Sequence, residues 1–445
     1  MIIVVGGGIA GIVSAILLQK KFGKVCLVEQ SEKIGGLYRS KDCKLNVTFD
    51  YGSHFLQTSG IPELDKIILE EISSEKWLEL GNLKGAGYYK SKFNTQTHFL
   101  DSRNLPSHIY EKGIVELLSI TNSNLNPVNL EDQLYSFFGK TFTNEIFRQI
   151  LSEKYYGCNL DELSPDTHGI VGLNRILGFT SEASREIKLS KLYDQKFGFH
   201  SLKDYKSPYK NYYPKKGGIE LWINLLEKKL NSLNIQILTG AKITKIEHDN
   251  GTAQSIVFDD GRKLNCTKII WTVAPSLFLK SSNLLNKNEL LRPPKQVHNS
   301  LHHFAFDKPF LTDVYFVQCH DPNFKTFRVT LYPNIQKNKN NIYHLTAEVI
   351  EPIASDLEEL KKKVLSELIQ IGIVSKESNL LFQNSELLSN GFPLPTIELN
   401  NTNKAYLDRA KKMIKNVNFL GRASGGGFTA GPVLKGVYRT ISNLA

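Results

Sequence analysis

The residue spacing with the clearest chemistry is a glycine-rich turn at the start of the chain. Gly6, Gly8 and Gly11 form a GxGxxG pattern directly after the apolar run MIIVV. In this pattern the first glycine permits a tight turn, the second lets the backbone approach a pyrophosphate, and the third lets a helix pack closely. The helix would open at Ile9 and Ala10, where unpaired N–H groups and the helix dipole favour phosphate. The spacing therefore predicts a nucleotide-binding βαβ unit.

An acidic residue and a second pair of glycines extend this prediction. Glu29 ends the apolar run VCLVE, at the spacing where a carboxylate accepts hydrogen bonds from the ribose hydroxyls of adenosine. Gln30 follows it, and Gly35 and Gly36 come shortly after, in SEKIGGLYRS. Backbone amides at these glycines would approach the same ligand from another side. We expect a dinucleotide without a 2′-phosphate, which Glu29 would repel.

A second group of candidates lies far along the chain, in HDPNFKTFRVTLYPN. Arg328 and Tyr332 are four residues apart on a predicted strand and should therefore share one face. Arginine can hold a phosphate or carboxylate bidentately, so the pair could bind an anionic substrate. A salt bridge of Arg328 at the rim is an equally good interpretation. His302 and His303 should face opposite sides of another strand, and we expect structural roles for both.

Charge and cysteine content exclude several function classes. The 445 residues carry a formal net charge of +11, but the lysines are spread along the chain, which favours solvated helix faces over nucleic-acid binding. The excess would steer an anionic substrate. The apolar start has no basic region before it, and no other segment is apolar for about twenty residues, so we expect a cytoplasmic protein without a membrane span. Five cysteines without CxxC spacing predict neither a metal site nor disulfides.

From the second diglycine onward, the chain resembles the flavoprotein superfamily of amine oxidases, phytoene desaturases, protoporphyrinogen oxidases and UDP-galactopyranose mutases. In that superfamily an acid, a short spacer and a GG-x-x-R/S stretch bind FAD. The corresponding residues here are Gly35, Gly36, Leu37 and Arg39. The resemblance therefore implies FAD rather than NAD as the cofactor.

A loop beside the flavin ring carries the resemblance further. FDYGSHF, residues 49–55, is similar to the family's FD-x-G-G-H loop, with Gly52 retained and Ser53 in place of the second glycine. The resemblance implies that His54 lies close to the isoalloxazine ring and takes part in catalysis or contacts the flavin. A histidine that only fixes the loop is the alternative.

Three further segments resemble FAD-binding elements. YPKKGGIEL, residues 213–221, is similar to a turn that opens a helix, and the three strands after it imply an adenine contact at Ile243. The chain end, NVNFLGRASGGGFTAGPVLKGVYRTI, is similar to the strand and helix that cover the flavin, which implies contacts from Gly421, Arg422 and Phe428. Oxidases of the superfamily often carry Gly-Asp where this chain has Gly-Arg, and Gly-Arg is similar to the mutases. The mutases continue with tyrosines that are absent here.

Lys154 is the last candidate that the resemblance supplies. It lies in SEKYYGCNLDELSP, which is similar to a family segment near the active site. The neighbouring Tyr155 is a second candidate there. A lysine that stabilises the C-terminal end of its helix before Gly157 is an equally good interpretation.

The resemblance implies an α/β fold: an FAD-binding Rossmann-like (glutathione-reductase-type) domain with a discontinuous α+β substrate domain. We assign residues 1–60, 213–290 and 405–445 to the first, and residues 61–212 and 291–404 to the second. Apolar periodicity predicts helices over residues 61–72, 130–138 and 144–154 in the first insert. The second insert predicts strands in LHHFAFD, DVYFVQC, FRVTLY and IYHLTAEVI, and then a helix over residues 356–371.

These expectations define a function and two rivals. We expect an FAD-dependent oxidoreductase of the protoporphyrinogen oxidase and phytoene desaturase type, which transfers hydride between a carbon of a small organic substrate and flavin N5. The first rival is a redox-neutral flavin-dependent isomerase that acts on a nucleotide sugar, similar to UDP-galactopyranose mutase. The second is a non-catalytic flavin-binding protein. The oligomeric state is left open.

Overall fold

The computed structural model describes residues 1–121, 126–201, 204–285, 294–337, 341–388, 392–425 and 427–444. The boundary expected between residues 290 and 291 lies outside them. The strands are β1 Ile2–Val5, β2 Val25–Val28, β3 Ser40–Asp42, β4 Thr48–Asp50, β5 Leu56–Gln57, β6 Trp77–Leu80, β7 Gly85–Tyr89, β8 Lys92–Asn94, β9 Leu100–Asp101, β10 Ile176–Leu177, β11 Asn211–Pro214, β12 Gln236–Leu238, β13 Ile243–Asp249, β14 Thr252–Phe258, β15 Lys263–Asn265, β16 Lys268–Trp271, β17 His298–Phe306, β18 Phe316–Cys319, β19 Thr326–Leu331, β20 Tyr343–Glu351, β21 Leu380–Leu387 and β22 Val417–Phe419.

The helices are interspersed among these strands along the chain. They are α1 Ile9–Phe22, α2 Pro62–Leu69, α3 Ser107–Ser119, α4 Leu130–Phe142, α5 Ser181–Ile187, α6 Lys191–Asp194, α7 Glu220–Ser232, α8 Pro275–Ser281, α9 Tyr332–Gln336, α10 Leu357–Ile371, α11 Ile397–Met413 and α12 Ala430–Ser442. A π-helix spans Thr143–Tyr156, and 3₁₀ turns span Ser102–Asn104, Leu160–Glu162, Thr167–Val171 and Gly421–Ser424. Within the described ranges, no helix combines the length and the apolar character that crossing a membrane requires.

The predicted βαβ unit forms the centre of a five-stranded parallel sheet, in the order β12-β2-β1-β16-β22. All four residues of β1 are buried, because helices and a second small sheet cover the two faces of a parallel sheet of this kind. Helix α1 packs on one face through Ile12 and Ile16. On the other face lies the antiparallel sheet β13-β14-β15, which carries Ile246 and Ile256.

Three of the expected domain boundaries do not match the limits of the packed elements. Helix α2, assigned above to the substrate domain, buries Leu64, Ile67 and Ile68 in the same core as α1. Helix α11 contains the expected boundary between residues 404 and 405, and its Ala410 packs in the core beneath β16 and β22. The boundary between residues 212 and 213 falls within β11. Both helices thus pack in the apolar cores of the five-stranded parallel sheet.

The second domain is built on a seven-stranded sheet, in the order β21-β17-β20-β19-β18-β7-β8. Its four central strands, β17 to β20, are those predicted in the second insert. Strands β7 and β8 come from the first insert, which the periodicity predicted to be mainly helical, and β7 pairs in parallel with β18. Helix α10 covers one face with Val364 and Leu368, and the Asp356 side chain caps it. The predicted α+β insert is thus confirmed in type but draws strands from both segments.

Helices α3 and α4 and the π-helix pack beside this sheet around Phe138, Phe142 and Phe147. Helix α4 is kinked at Gly139, where φ is +83°. The π-helix ends at Gly157, with φ +62°. An added Cβ at Gly157 would lie 2.4 Å from the Cβ of Pro352, so glycine is required at this close approach. The helices predicted over residues 130–138 and 144–154 are confirmed.

Candidate functional site

Gly8 and Gly36 frame an open space at the start of α1. Gly8 caps the helix in an ordinary extended conformation, with φ −74° and ψ 177°. An added Cβ at Gly8 would meet no atom within 4 Å, and one at Gly36 would lie 3.4 Å from Gly8 Cα. The Gly35 amide donates to the Gly7 carbonyl at 2.7 Å, which holds the two turns together. We name this space, between the α1 N-terminus and Gly36, the cradle.

The other two glycines of the pattern have a packing role. Gly6 adopts φ +103°, and an added Cβ there would lie 2.4 Å from Thr272 Oγ1. An added Cβ at Gly11 would lie only 1.8 Å from the Gly6 carbonyl oxygen. Both glycines therefore allow α1 to start directly against the sheet, so that its free N–H groups point into the cradle.

The acid predicted to bind the ribose lies at the end of β2. Glu29 accepts hydrogen bonds from the Gly7 amide at 2.6 Å and from the Ser31 amide at 2.8 Å. These two backbone amides orient the carboxylate. Because the side chain is only half-buried, its remaining lone pairs stay available to a ligand. Gln30 is exposed beside it, and Ile243 is half-buried at the start of β13.

Arg39 adds a polar group that the protein leaves without a partner. Its Nε atom is buried and makes no hydrogen bond, while its Nη2 atom donates to the Lys33 carbonyl. Leu37, two residues earlier, is 42% exposed. A buried donor without an acceptor is costly unless a ligand supplies one. Together with the cradle, this orphan nitrogen fits a phosphate-containing dinucleotide.

The loop from Phe49 to Phe55 lies against the second domain. Gly52 adopts φ +103°, and an added Cβ there would lie 2.9 Å from Glu348 Oε2. The Ser53 amide donates to Glu348 Oε1 at 3.1 Å. Ser53 itself lies outside the left-handed region, so a serine is accommodated without backbone strain where the family has a second glycine.

His54 lies between this loop and the segment that follows Gly36. Its ring stacks on Tyr38 with centroids 4.6 Å apart, and its Nε2 atom lies 3.1 Å from the Tyr51 carbonyl oxygen. Burial lowers the pKa of His54 to about 4; the nearby Glu348 opposes this, and Arg328 and Arg422 add to it. The imidazole is therefore neutral at neutral pH. With Nε2–H donating to the carbonyl, Nδ1 is left as an acceptor.

Arg328 and Tyr332 do not share a face as predicted. Strand β19 ends at Leu331, and Tyr332 begins α9, where Pro333 stands in the first turn. The Tyr332 hydroxyl is buried, accepts from the Asp50 amide at 2.9 Å and bonds Thr346 Oγ1 at 2.8 Å. It is therefore a support of the loop. The expectation that it meets a substrate together with Arg328 is wrong.

Arg328 pairs with Glu348, a residue that sequence reasoning missed. Its Nε atom donates to Glu348 Oε1 at 2.7 Å and its Nη2 atom to Oε2 at 2.9 Å. The Glu348 side chain is 4% exposed and that of Arg328 is 29% exposed. Burial lowers the pKa of the guanidinium, but Glu348 outweighs this, so the pKa stays raised and the group charged. Arg328 thus forms a salt bridge, as the alternative interpretation expected, but with a buried partner rather than at the rim. Its Nη1 atom makes no hydrogen bond to the described residues.

Asp50, also missed, joins three segments. Its carboxylate accepts from Ser40 Oγ at 2.7 Å, from the Ile219 amide at 2.8 Å and from the Tyr213 hydroxyl at 2.6 Å. Burial raises its pKa to about 6, although these three donors favour the charged form. Asp50 thus ties the loop of His54 to the YPKKGGIEL turn. The FD dipeptide of the loop motif was the available signal.

Lys154 is fully engaged with the backbone of the sheet domain. From the end of the π-helix, its Nζ atom donates to the carbonyls of Cys319, Asp321 and Thr326 at 2.9–3.0 Å. Burial lowers its pKa. All three N–H groups of the ammonium are used, so this lysine ties a helix to two strands and has no proton left to offer a substrate. Tyr155 likewise donates to the Cys319 carbonyl.

The chain end closes over the start of α1. An added Cβ at Gly421, where φ is +77°, would lie 3.1 Å from Ala10 Cβ. Arg422 lies with its guanidinium 4.4 Å from the Phe428 ring centroid and donates from Nε to the Phe428 carbonyl at 2.9 Å. Phe428 in turn contacts Phe392 of the second domain edge-on. The last element thus carries a cation whose charge helps to lower the pKa of His54.

Three kinds of comparison place this geometry among known proteins. Residues 4–68 match the family described as NAD(P)-binding Rossmann-like domain. Curated protein sequences give no significant match. Among solved structures, the chain is similar to a reduced UDP-galactopyranose mutase, with 16% identity, a TM-score of 0.76, and 99% of this chain and 93% of that chain covered.

Two further structures share the fold. One is a protein assigned as a protoporphyrinogen oxidase from Exiguobacterium sp. 255-15, with 16% identity, a TM-score of 0.67, and coverage of 99% of this chain and 97% of that chain. The other is a redesigned putrescine oxidase, with 12% identity, a TM-score of 0.60, and coverage of 99% and 98%. At such identities these matches establish the fold. The predicted α/β class with a Rossmann-like dinucleotide-binding domain is confirmed.

Proposed function

We propose that the protein is an FAD-dependent oxidoreductase that transfers hydride between a carbon of a small, anionic organic substrate and flavin N5. One observation carries the proposal: the segment that borders the cradle also contacts the loop of His54. Gly36 borders the cradle, Tyr38 follows two residues later, and the Tyr38 ring stacks on His54. When bound, FAD supplies the two-electron chemistry of its isoalloxazine ring.

The chain's own residues provide the contacts for such a cofactor. The α1 N-terminus and Gly36 amides would bind the pyrophosphate, and Glu29 the adenosine ribose. Arg39 Nε is a donor that lacks an acceptor. Gly421, Arg422 and Phe428 would lie over the flavin end. These assignments rest on the backbone geometry of the cradle and on the burial of a donor that needs an acceptor.

Two groups are suited to orient the substrate. Neutral His54 offers Nδ1 as a hydrogen-bond acceptor or as a proton acceptor. Arg328 offers Nη1, held in a fixed plane by its bidentate pair with Glu348. An anionic group on the substrate would bind Arg328 and so place the reacting carbon near the loop of His54.

The test is an anaerobic titration of the FAD-loaded protein with NADPH, NADH and candidate anionic substrates, followed by flavin absorbance. The proposal predicts that a small organic anion bleaches the flavin. It also predicts that Arg328→Met raises the concentration of this anion that bleaches half of the flavin by about tenfold or more, because a charge-assisted contact is lost. The matched control is Arg262→Met, since Arg262 pairs with Asp260 in an exposed hairpin. An equal effect in both variants would refute the role of Arg328.

A redox-neutral enzyme acting on a nucleotide sugar is the second candidate. The observations that favour it are the TM-score of 0.76 with UDP-galactopyranose mutase and the Gly421-Arg422 pair, which brings a second cation toward His54. It predicts that enzyme holding reduced flavin converts a UDP-sugar with no net change in flavin redox state. A non-catalytic flavin-binding protein would be indicated if no small molecule reduced or reoxidised the flavin.

A further inference from the structure

One buried carboxylate binds two parts of the candidate site at once. Glu348 lies in the middle of β20, and its Oε1 atom accepts both from the Ser53 amide at 3.1 Å and from Arg328 Nε at 2.7 Å. Its Oε2 atom accepts from Arg328 Nη2 at 2.9 Å. The carboxylate thus joins the backbone of the His54 loop to the guanidinium on the neighbouring strand.

The shape of the loop depends on this contact. Gly52 adopts a left-handed φ of +103°, and Glu348 Oε2 fills the space where a side chain of Gly52 would project. The loop has no regular strand partner at this point, since β4 ends at Asp50 and β5 starts at Leu56. Two side chains therefore support this short irregular segment: Glu348, and Tyr332, whose hydroxyl accepts from the Asp50 amide.

A carboxylate is the group that this position requires. Two guanidinium N–H groups and one amide converge on it, and each is a donor. An amide side chain would turn its own NH₂ toward one of these donors and lose a charge-assisted bond. A hydrophobic residue would leave Arg328 as an unpaired cation beside His54, which is costly in a buried site.

We propose that Glu348 is a positioning residue that fixes the His54 loop and the substrate-binding face of Arg328 in one geometry. This inference rests on the proposed function, because it assigns the loop to the flavin and Arg328 to the substrate. Glu348 itself would contact neither the flavin nor the substrate. Its effect is to hold the acceptor at His54 and the donor at Arg328 at a constant separation, so that a bound anion and the flavin keep the same relative orientation.

The chain offers a matched control for the test. Glu351 lies three residues further on the same strand, is equally buried at 3%, and is also paired, with Lys325. Glu348→Gln and Glu351→Gln therefore remove the same charge at the same depth, and only the first touches the His54 loop. Where Glu348→Gln is too unstable, the double variant Arg328→Met/Glu348→Met removes the whole pair and avoids an unpaired buried charge.

The first readout is amide hydrogen exchange of the segment 51–56 in the protein without FAD. Glu348→Gln should speed exchange at the Ser53 amide by about tenfold or more, since a hydrogen bond to a charged group is lost. The double variant should behave alike, and Glu351→Gln should leave this segment unchanged. Equal exchange in Glu348→Gln and Glu351→Gln would overturn the proposal, whether or not the protein binds FAD.

The second readout is the visible circular dichroism of bound FAD, which reports the surroundings of the ring. Glu348→Gln should change this signal at unaltered FAD content, and Glu348→Asp should restore part of it. Faster exchange with an unchanged flavin signal would also overturn the proposal, because Glu348 would then only stabilise a loop. A wild-type protein that binds no FAD would instead refute the proposed function, and the exchange result would still stand by itself.

Discussion

The glycines of the first turn allow the cofactor site to be separated from the stability of the fold. An added Cβ at Gly8 would meet no protein atom within 4 Å, and Gly8 has an ordinary φ of −74°. Gly8→Ala should therefore leave the free energy of unfolding of the apoprotein unchanged or raise it by about 0.4–1 kcal/mol, because alanine restricts the unfolded chain.

The same methyl group should weaken FAD binding. It would project into the cradle, where the pyrophosphate has to approach the backbone amides of α1. Loss of one charge-assisted amide contact costs about 1.5–3 kcal/mol of binding free energy, which corresponds to an increase in Kd of about 10- to 150-fold. Titration of apoprotein with FAD, followed by flavin fluorescence, measures the affinity, and urea unfolding of the same sample measures stability.

Two comparison variants make this prediction specific. Gly11→Ala would put a Cβ 1.8 Å from the Gly6 carbonyl oxygen, so backbone must move and stability should fall by about 2 kcal/mol or more. An added Cβ at Gly436, inside α12, would meet no atom within 4 Å. Gly436→Ala should therefore raise the free energy of unfolding by about 0.5–1 kcal/mol and leave the FAD affinity unchanged. Wild-type FAD affinity in Gly8→Ala, or a loss of stability as large as in Gly11→Ala, would show that Gly8 does not border a pyrophosphate site.

Two further predictions concern buried ionisable groups. Lys154→Met leaves three backbone carbonyls without a donor and should lower the free energy of unfolding, measured with urea, by about 3 kcal/mol or more. The control Lys361→Met breaks one ion pair with Glu358 on α10 and should lower it by less than about 1 kcal/mol. Equal losses in the two variants would contradict the structural role of Lys154. Burial lowers the pKa of His320 to about 3 and of several other histidines to about 4, so the unfolded chain binds more protons and stability should fall as pH drops below about 6.5 toward 4. The raised pKa of Asp50, about 6, makes the folded chain bind a proton that the unfolded chain lacks, so this group alone raises stability as the pH falls below about 6. It is a single group against several histidines. His320→Leu should reduce the slope of stability against pH by about 1.4 kcal/mol per pH unit, and a urea midpoint that is flat or rises from pH 7.5 to pH 5 would contradict this account.

Local patterns predicted the parts of the fold that local forces determine. The βαβ unit at Ile2–Val28 follows from glycine spacing and an apolar strand, and α10 follows from its periodicity and the Asp356 cap. Strands β17 to β20 could be found from their alternation. These features depend on neighbours in the sequence, so one sequence suffices to identify them.

The features that escaped prediction depend on contacts between distant segments. Strands β7 and β8 join a sheet whose other strands come about two hundred residues later, and nothing in GAGYY indicates that partner. Helix α2 packs against α1 because Leu64 enters the same apolar core. Lys154 shows the same limit, because its three acceptors lie about 170 residues further on.

The candidate site divides in the same way. The glycine turns, Glu29 and the loop of His54 could be predicted, because each is a contiguous motif. Glu348 could not, since nothing in its strand distinguishes it from Glu351, and its partners Ser53 and Arg328 are 295 and 20 residues away. Tyr332 lies on a helix rather than on the predicted strand, because α9, with Pro333 in its first turn, begins directly after Leu331.

Whether the cradle holds FAD can be read from the absorbance spectrum of the purified protein. The protein should be yellow, or become yellow on reconstitution, and should release about one FAD per chain on denaturation. The contrary result would be a folded protein that remains colourless after incubation with FAD. Equal unfolding curves for wild type and Gly8→Ala would show that the colourless protein is folded, and the cradle would then not be an FAD site.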